Sequence, residues 1–520
     1  MDHNQLLILL VVMLLGGILT GIPVSFILIG VPTLIGFLGA AFGAFDLAFL
    51  QAFPSRVFGL ITNPVITSVP LFVLMGGFLE KSDIARRMML TAGALFGKRR
   101  GGMAYAVIIV GALLAASTGV IAATIYMLGM VALPAMLQAK YSPRLAAGLI
   151  CSAGSLGQII PPSILLILLT DQISSAYQTG QRAAGNWSPD PVSVGDLFAG
   201  ALLPGLLLVG LYLLYVFVVS IIKPENCPPV VLQDQDGIEI DVTAKHVATT
   251  LVFPLLLIVL VLGSILGGIA TPTESAALGA AGALVMAASR KKIAKWRQFC
   301  YIGVVAAGIA LITLKVTGGI GLNLGPVRSA ISITSLVLFF AGLSLAAWQE
   351  IVKGNLFFVT RRTASIVSMM ILIVIGATAL SLVFRGLGGD EIVSDFLTGL
   401  PGGVPVALLS VMVIIFLLGF IIEYVEIIFI VVPVAGPPLM AAGVDPIWFA
   451  ILISMNLQMS FLTPPFGYSL FYLRNVASDS LPMGEIYKAI IPFVLIQIVA
   501  VAIVAYFPGL TTWLPGLIYN

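Results

Sequence analysis

Charge is scarce in this sequence. Asp, Glu, Lys and Arg together make up 9% of its 520 residues, against about 25% in a typical soluble protein. Histidine occurs twice (His3, His246) and cysteine three times (Cys151, Cys227, Cys300). All five stand far apart, so neither a zinc site nor a disulfide framework is expected. No Gly-x4-Gly-Lys-Ser/Thr loop is present, which removes ATP as an energy source within the chain. Without an HExxH or GxSxG-like constellation, a membrane-embedded enzyme would lack converging acids, bases or nucleophiles. The net charge of +3 sits in short clusters between apolar runs and says nothing for nucleic acid as a partner.

Apolar side chains are abundant instead. Hydrophobic residues make up 60% of the chain and the mean hydropathy is +1.14. No water-soluble fold hides that much, so the expected class is an all-α polytopic membrane protein. Apolar runs long enough to cross a bilayer fall near 5–21, 23–43, 65–80, 145–170, 197–222, 248–266, 273–289, 299–316, 331–349, 363–384, 446–473 and 489–507. The stretches 103–136 and 404–435 are too long for one crossing and polar or small in the middle. They read as re-entrant hairpins. The polar stretch 171–196 and the acidic stretch 234–241 read as loops, and 81–100 as an inner connecting segment. Tyr141, Tyr519, Trp187, Trp296, Trp348, Trp448 and Trp513 read as anchors at membrane edges.

Positive charge tests that layout. With the N-terminus outside, the inner segments 81–100, 138–144, 223–247, 290–297, 350–362 and 474–488 hold 20 of the 25 Lys and Arg residues, as the positive-inside rule requires. The first hairpin then enters from the cytoplasm and the second from the outer face.

Proline spacing carries the main signal. Pro134, Pro143 and Pro161-Pro162 recur as Pro437, Pro446 and Pro464-Pro465 at a constant offset of 303. Ser142-Pro143 overlays Asp445-Pro446, each an N-cap followed by proline at the first helical position. About a dozen mostly apolar residues follow, then a break: Gly154 to Ser163 in the first copy, Asn456 to Gly467 in the second. Paired prolines inside a membrane helix remove donors and strand carbonyls, which is tolerated only where the break is buried in protein or lines a cavity. The same offset takes Ser117-Thr118-Gly119, the middle of the first hairpin, to within a few residues of Glu423. Opposed repeats, each with a hairpin and a discontinuous helix, point to a transporter's ion and substrate sites. The expected organisation is scaffold helices over 1–66, a first repeat over 67–175 (hairpin about 103–136, broken helix 145–170), linking and extra scaffold helices over 176–362, a second repeat over 363–480 (hairpin about 404–435, broken helix 446–473) and a C-terminal helix over 481–520.

Several of these segments resemble the large membrane subunit of a tripartite ATP-independent periplasmic (TRAP) transporter. They are Gly154 to Ser163, Gly268-Ile269-Ala270-Thr271-Pro272-Thr273-Glu274, Gly419 to Pro433, Gly443-Val444-Asp445-Pro446 and Thr463-Pro464-Pro465-Phe466-Gly467. The resemblance runs along most of the chain. The extra polar stretches and a helix pair around 299–349 are similar to the longer mannitol/chloroaromatic-type subgroup. It implies an inverted-repeat, elevator-type fold, coupling to Na⁺ with no other cofactor, a small membrane subunit, and a periplasmic binding protein that delivers an organic acid. It also implies a bacterial inner-membrane location with, here, a periplasmic N-terminus. By the same resemblance Ser117, Gly119, Gly154, Ser155, Pro161 and Ser163 match one sodium site, and Glu423, Thr463, Pro464 and Gly467 the other. Ser117, Thr118, Ser155 and Thr463 are the substrate-binding candidates. Ser117-Thr118-Gly119 departs from the Ser-Gly-Ser expected at the first tip.

Some polar residues have structural explanations. Thr271-Pro272-Thr273-Glu274 is a capping box with proline at the first helical position, which accounts for Glu274. Three roles are open to Glu423 at membrane depth: a Na⁺ ligand, a carrier of a coupling proton, or a partner of Arg385. Glu426 reads as its helical neighbour. The leading function is Na⁺-driven organic-acid uptake. A stand-alone ion-coupled anion carrier is the alternative within the superfamily, and a non-transporting assembly subunit the alternative of another class.

Overall fold

In a computed structural model of the chain, the described residues are 2–82, 84–230, 247–289, 295–318, 326–465, 467–477 and 481–519. The acidic stretch 234–241, His246, the basic run 290–294 and Phe466 lie outside them. The described residues are helical with no strand, as hydrocarbon demands of any segment that must satisfy its own backbone. Among them, eight helices are long and apolar enough to span a membrane.

Both hairpins form where expected. The first has arms Gly102–Thr118 and Ile121–Gln138, and the second Gly403–Leu418 and Tyr424–Ala441. The first turns sharply because Gly119 takes a left-handed φ of 60°, a conformation that costs other residues about 1–2 kcal/mol. The second turns over the longer segment 419–423.

Both broken helices form as well. The first runs Pro143–Ser155, passes through a 3₁₀ turn at Leu156–Gln158 and an irregular segment, and resumes as Ile164–Ala183. The second runs Pro446–Leu462 and resumes as Tyr468–Ala477. The bonds Pro161-Pro162 and Pro464-Pro465 are both cis. Asp445 caps its helix through Trp448 N at 2.8 Å. Ser142 makes no side-chain cap, so the two aligned starts are not equivalent.

The repeats interlock rather than sit side by side. The second arm of the first hairpin packs on Tyr468–Ala477, and the second arm of the second hairpin on Ile164–Ala183. Small residues allow the approach: a Cβ on Gly436 would come within 2.8 Å of the Ala176 Cβ, and one on Gly129 within 3.2 Å of Val476. The helix Met483–Tyr506 packs against the first halves of both broken helices, and Val194–Ile222 against that of the second.

A second set of helices lies against this unit. Pro64–Lys81 packs on Pro272–Ala288 and on Asn355–Gly386, which also carries Val24–Ala41. The helix pair expected around 299–349 is present as Lys295–Gly318 and Pro326–Val352. Its two helices pack on each other and on Pro272–Ala288. The Thr271–Glu274 capping box is formed, with Thr271 N donating to Glu274 Oε2 at 2.8 Å.

Two expectations, for 171–196 and for Tyr141, need correction, and the inner segment 81–100 gains detail. The stretch 171–196 is not all loop: helix continues to Ala183, and Asn63 Nδ2 donates to the Asp171 carboxylate at 2.5 Å, so a polar residue that suggested solvent is held between helices. The segment 81–100 contains the helix Ile84–Phe96, whose buried Met88, Met89 and Ala92 form an apolar face. Tyr141 is buried and sits in the core, not at a lipid edge.

Candidate functional site

Each hairpin tip meets the break of its own repeat. In the first, Gly119 lies against Ile164, the first residue after the break, where an added Cβ would come within 3.1 Å. Gly157, inside the break, lies against the carbonyl of Ala115. Ser117 Oγ donates to Leu114 O at 2.9 Å, and Thr118 and Thr124 share a hydrogen bond of 2.9 Å. Ser163 Oγ donates to Gln158 O at 2.9 Å across the break. Ser117, Thr118, Ser155 and Ser163 are all buried. Their hydroxyls donate locally and keep oxygen lone pairs for other partners.

In the second repeat, Gly419 lies against the side chain of Ser460. Tyr468 OH donates to the carbonyl of Ile421 at 3.1 Å, and Asn456 Nδ2 to the carbonyl of Met412 at 2.6 Å. These contacts tie the second hairpin to its broken helix from both sides of the break. Thr463 Oγ1 donates to Met459 O at 2.8 Å. Gly467 has a positive φ of 43°, which lets the chain re-enter a helix immediately after the prolines. Glu423 is the N-cap residue of the second arm without a side-chain cap. Among the described residues it forms no ion pair, so the pairing with Arg385 is not made.

The two breaks also meet each other. Gln458 Nε2 donates to Ser155 Oγ at 3.1 Å, both residues being fully buried. Their separation is 303 residues, the same offset as the proline repeat. Ser155 therefore touches its own repeat-mate, and the repeat axis passes close to that bond. Both side-chain polar atoms of the buried Gln158, in the first break, and Gln458 Oε1, in the second, have no hydrogen-bond partner. A buried unpartnered polar atom costs about 1–3 kcal/mol, and these three stand on the segments that the Ser155–Gln458 bond joins. A further bond, Gln497 Nε2 to Tyr212 OH at 3.0 Å, joins the two flanking helices.

Sequence reasoning passed over Gln158, Gln458 and Glu426 as site residues. The first two stood inside the quoted breaks, and the 303 offset itself pairs Gln458 with Ser155. Glu426 is 4% exposed, a burial that its i, i+3 spacing from Glu423 did not reveal.

Between the first tip and the second set of helices lies a narrow cleft lined by Gly76, Lys81, Thr118, Val120, Phe358 and Arg362 among others. Gly76 lies within 3 Å, measured from an added Cβ, of the backbone of Thr118. Arg362 pairs with Glu80 at 2.5 Å, and Lys81 stands 3.9 Å over the ring of Phe358.

Residues 7–510 match the family described as "Tripartite ATP-independent periplasmic transporter, DctM component". The chain is 27% identical to the C4-dicarboxylate TRAP transporter large permease of Vibrio cholerae, over 98% of this chain and 97% of that one. It is 24% identical to the sialic acid TRAP transporter large permease of the same species, over 97% of each. Among solved structures it resembles the YdaH transporter of Alcanivorax borkumensis, with a TM-score of 0.53 at 15% identity, over 89% of this chain and 90% of that one. That likeness concerns the fold alone.

Proposed function

This chain belongs to the DctM component family of tripartite ATP-independent periplasmic transporters, and as a large permease of that kind we propose that it drives Na⁺-coupled uptake of a small organic acid. The observation that carries this reading is the meeting of two broken helices at their repeat axis, where Ser155 and Gln458 bond directly. Paired unwound helices supply stranded carbonyls and hydroxyls, the oxygen-rich surroundings that a sodium ion takes in place of water. Ser117, Gly119, Gly154, Ser155, Pro161 and Ser163 form the first ion site, and Glu423, Thr463, Pro464 and Gly467 the second. Ser117, Thr118, Ser155 and Thr463 face the substrate. Relatives named for a C4-dicarboxylate and for sialic acid favour a carboxylate as cargo, delivered by a periplasmic binding protein and handled with a small membrane subunit. The protein sits in a bacterial inner membrane with its N-terminus periplasmic. The interlocked repeats move as one body against the scaffold that includes Pro64–Lys81 and Asn355–Gly386.

An ion gradient is energetically adequate. One net charge crossing 100 mV is worth about 2.3 kcal/mol, enough for about 50-fold accumulation before the sodium gradient is counted. The test is uptake into proteoliposomes holding this chain, its small subunit and its binding protein, with a labelled C4-dicarboxylate and labelled sialic acid as probes. Uptake is expected to require inward Na⁺ and the binding protein, and to fall in both Ser155→Ala and Thr463→Ala. Uptake indifferent to Na⁺ and to both substitutions would leave the broken helices a packing role only.

A further inference from the structure

We infer that Glu426 is a carboxylate ligand for a monovalent cation, acting with Glu423 and the carbonyls of the 419–423 turn in the second ion site, whose carboxylates have no counterpart in the first repeat. The inference rests on the proposed reading of the chain as a cation-coupled carrier, and adds to it a residue and an asymmetry.

Glu426 lies in the first turn of Tyr424–Ala441. It is 4% exposed, and its Oε2 has no hydrogen-bond partner. A carboxylate oxygen removed from water without a partner is unfavourable. The helices packed on Tyr424–Ala441 are Ile164–Ala183, Asn355–Gly386, Gly389–Gly399 and Gly403–Leu418. Their charged residues are Asp171 and Arg182; Arg361, Arg362 and Arg385; and Asp390, Glu391 and Asp395. None of these forms an ion pair with Glu423 or Glu426 among the described residues. The protein therefore supplies two negative side chains and no positive one.

Oxygen donors converge on the same turn. The carbonyls of Gly419, Phe420 and Ile422 accept no backbone hydrogen bond among the described residues, while that of Ile421 is engaged by Tyr468 OH. Tyr424 and Tyr468 both pack on the ring of Phe461, at 6.4 and 5.4 Å between centroids, so aromatic rings flank the turn. Free carbonyls beside two carboxylates are acceptor-only chemistry, which suits a hard cation and repels an organic anion. The repeat offset sharpens the point. It places Val120 and Ala123 of the first repeat at the positions of Glu423 and Glu426, so the negative charge is no part of the shared architecture.

The experiment is direct binding of radiolabelled Na⁺ to the full chain in lipid nanodiscs, with choline as the inert replacement. Glu426→Gln is expected to weaken one Na⁺ binding event about 10-fold or more and to leave another unchanged, with Glu426→Asp weakened less. The surviving event also certifies folding. If Glu426→Gln fails to fold, the Glu426→Asp isotherm decides: an unshifted curve overturns the inference. An unchanged Glu426→Gln isotherm overturns it too, and loss of a protonated-carboxyl infrared band in that variant would show that Glu426 holds a proton instead. Absence of any Na⁺ binding to the wild type would refute the sodium coupling itself, a result distinct from the others.

Discussion

In the first repeat the tip Ser117-Thr118-Gly119 meets a break whose polar side chains, Ser155, Gln158 and Ser163, are all neutral. In the second, the 419–423 turn ends at Glu423, with Glu426 one helical turn on and buried. The first tip is a tight turn made by one left-handed glycine, and the second a longer segment whose Gly419 has an ordinary helical φ of −63°. Two copies of one backbone plan thus carry different chemistry. Shared prolines fix where each helix breaks, and the side chains around the break decide what it can hold.

The largest expected contrast lies at the tip glycines. Gly119→Ala must adopt a left-handed backbone and press on Ile164, at a cost of about 2 kcal/mol or more. Gly419→Ala keeps a helical φ, but its Cβ would come within 2.9 Å of the Ser460 Cβ, a contact that no rotamer relieves. Denaturation in mixed detergent micelles should show both variants destabilised, with Ser460→Gly restoring the second and not the first. Rescue of both, or of neither, would mean that the two turns are alike after all.

A smaller effect tests the bond that joins the repeats. A double-mutant cycle of Ser155→Ala with Gln458→Leu should give a coupling of about 1 kcal/mol in the same assay. Additive losses would mean that the two breaks are independent sites and not one junction.

The smallest contrast is at the aligned helix starts. Asp445 accepts from Trp448 N, whereas Ser142 makes no cap. Asp445→Ala should cost about 0.5–1 kcal/mol and Ser142→Ala close to nothing. A comparable loss at Ser142 would show that its hydroxyl caps the helix in the bilayer.

Much of this was legible in the sequence. Hairpins read over 103–136 and 404–435 correspond to arms spanning 102–138 and 403–441, because small and polar residues in a long apolar run leave few alternatives in lipid. Ser117, Ser155 and Ser163 lie in segments that the repeat singles out, and were named as ion-site candidates through the family resemblance. Gln458 could have been, had the offset been applied to side chains as well as to prolines. Asp171 and Glu426 could not, since a polar residue on an otherwise apolar helix faces lipid, solvent or protein according to neighbours hundreds of residues away. The segment 81–100 was read only as an inner connection, because its basic flanks stand out more than the apolar spacing of the helix Ile84–Phe96 between them.

The sequence by itself determined the membrane as solvent, the number and place of the helical breaks, and the duplication. All three follow from local chemistry: side-chain hydrophobicity, the missing N–H of proline, and the freedom of glycine. Only the tertiary structure decided that the repeats interlock, that Ser155 faces its own repeat-mate, and that Glu426 is sealed from solvent without a cation of its own. Those facts depend on which helix faces cover one another, and the packing of distant segments is not written in any one of them.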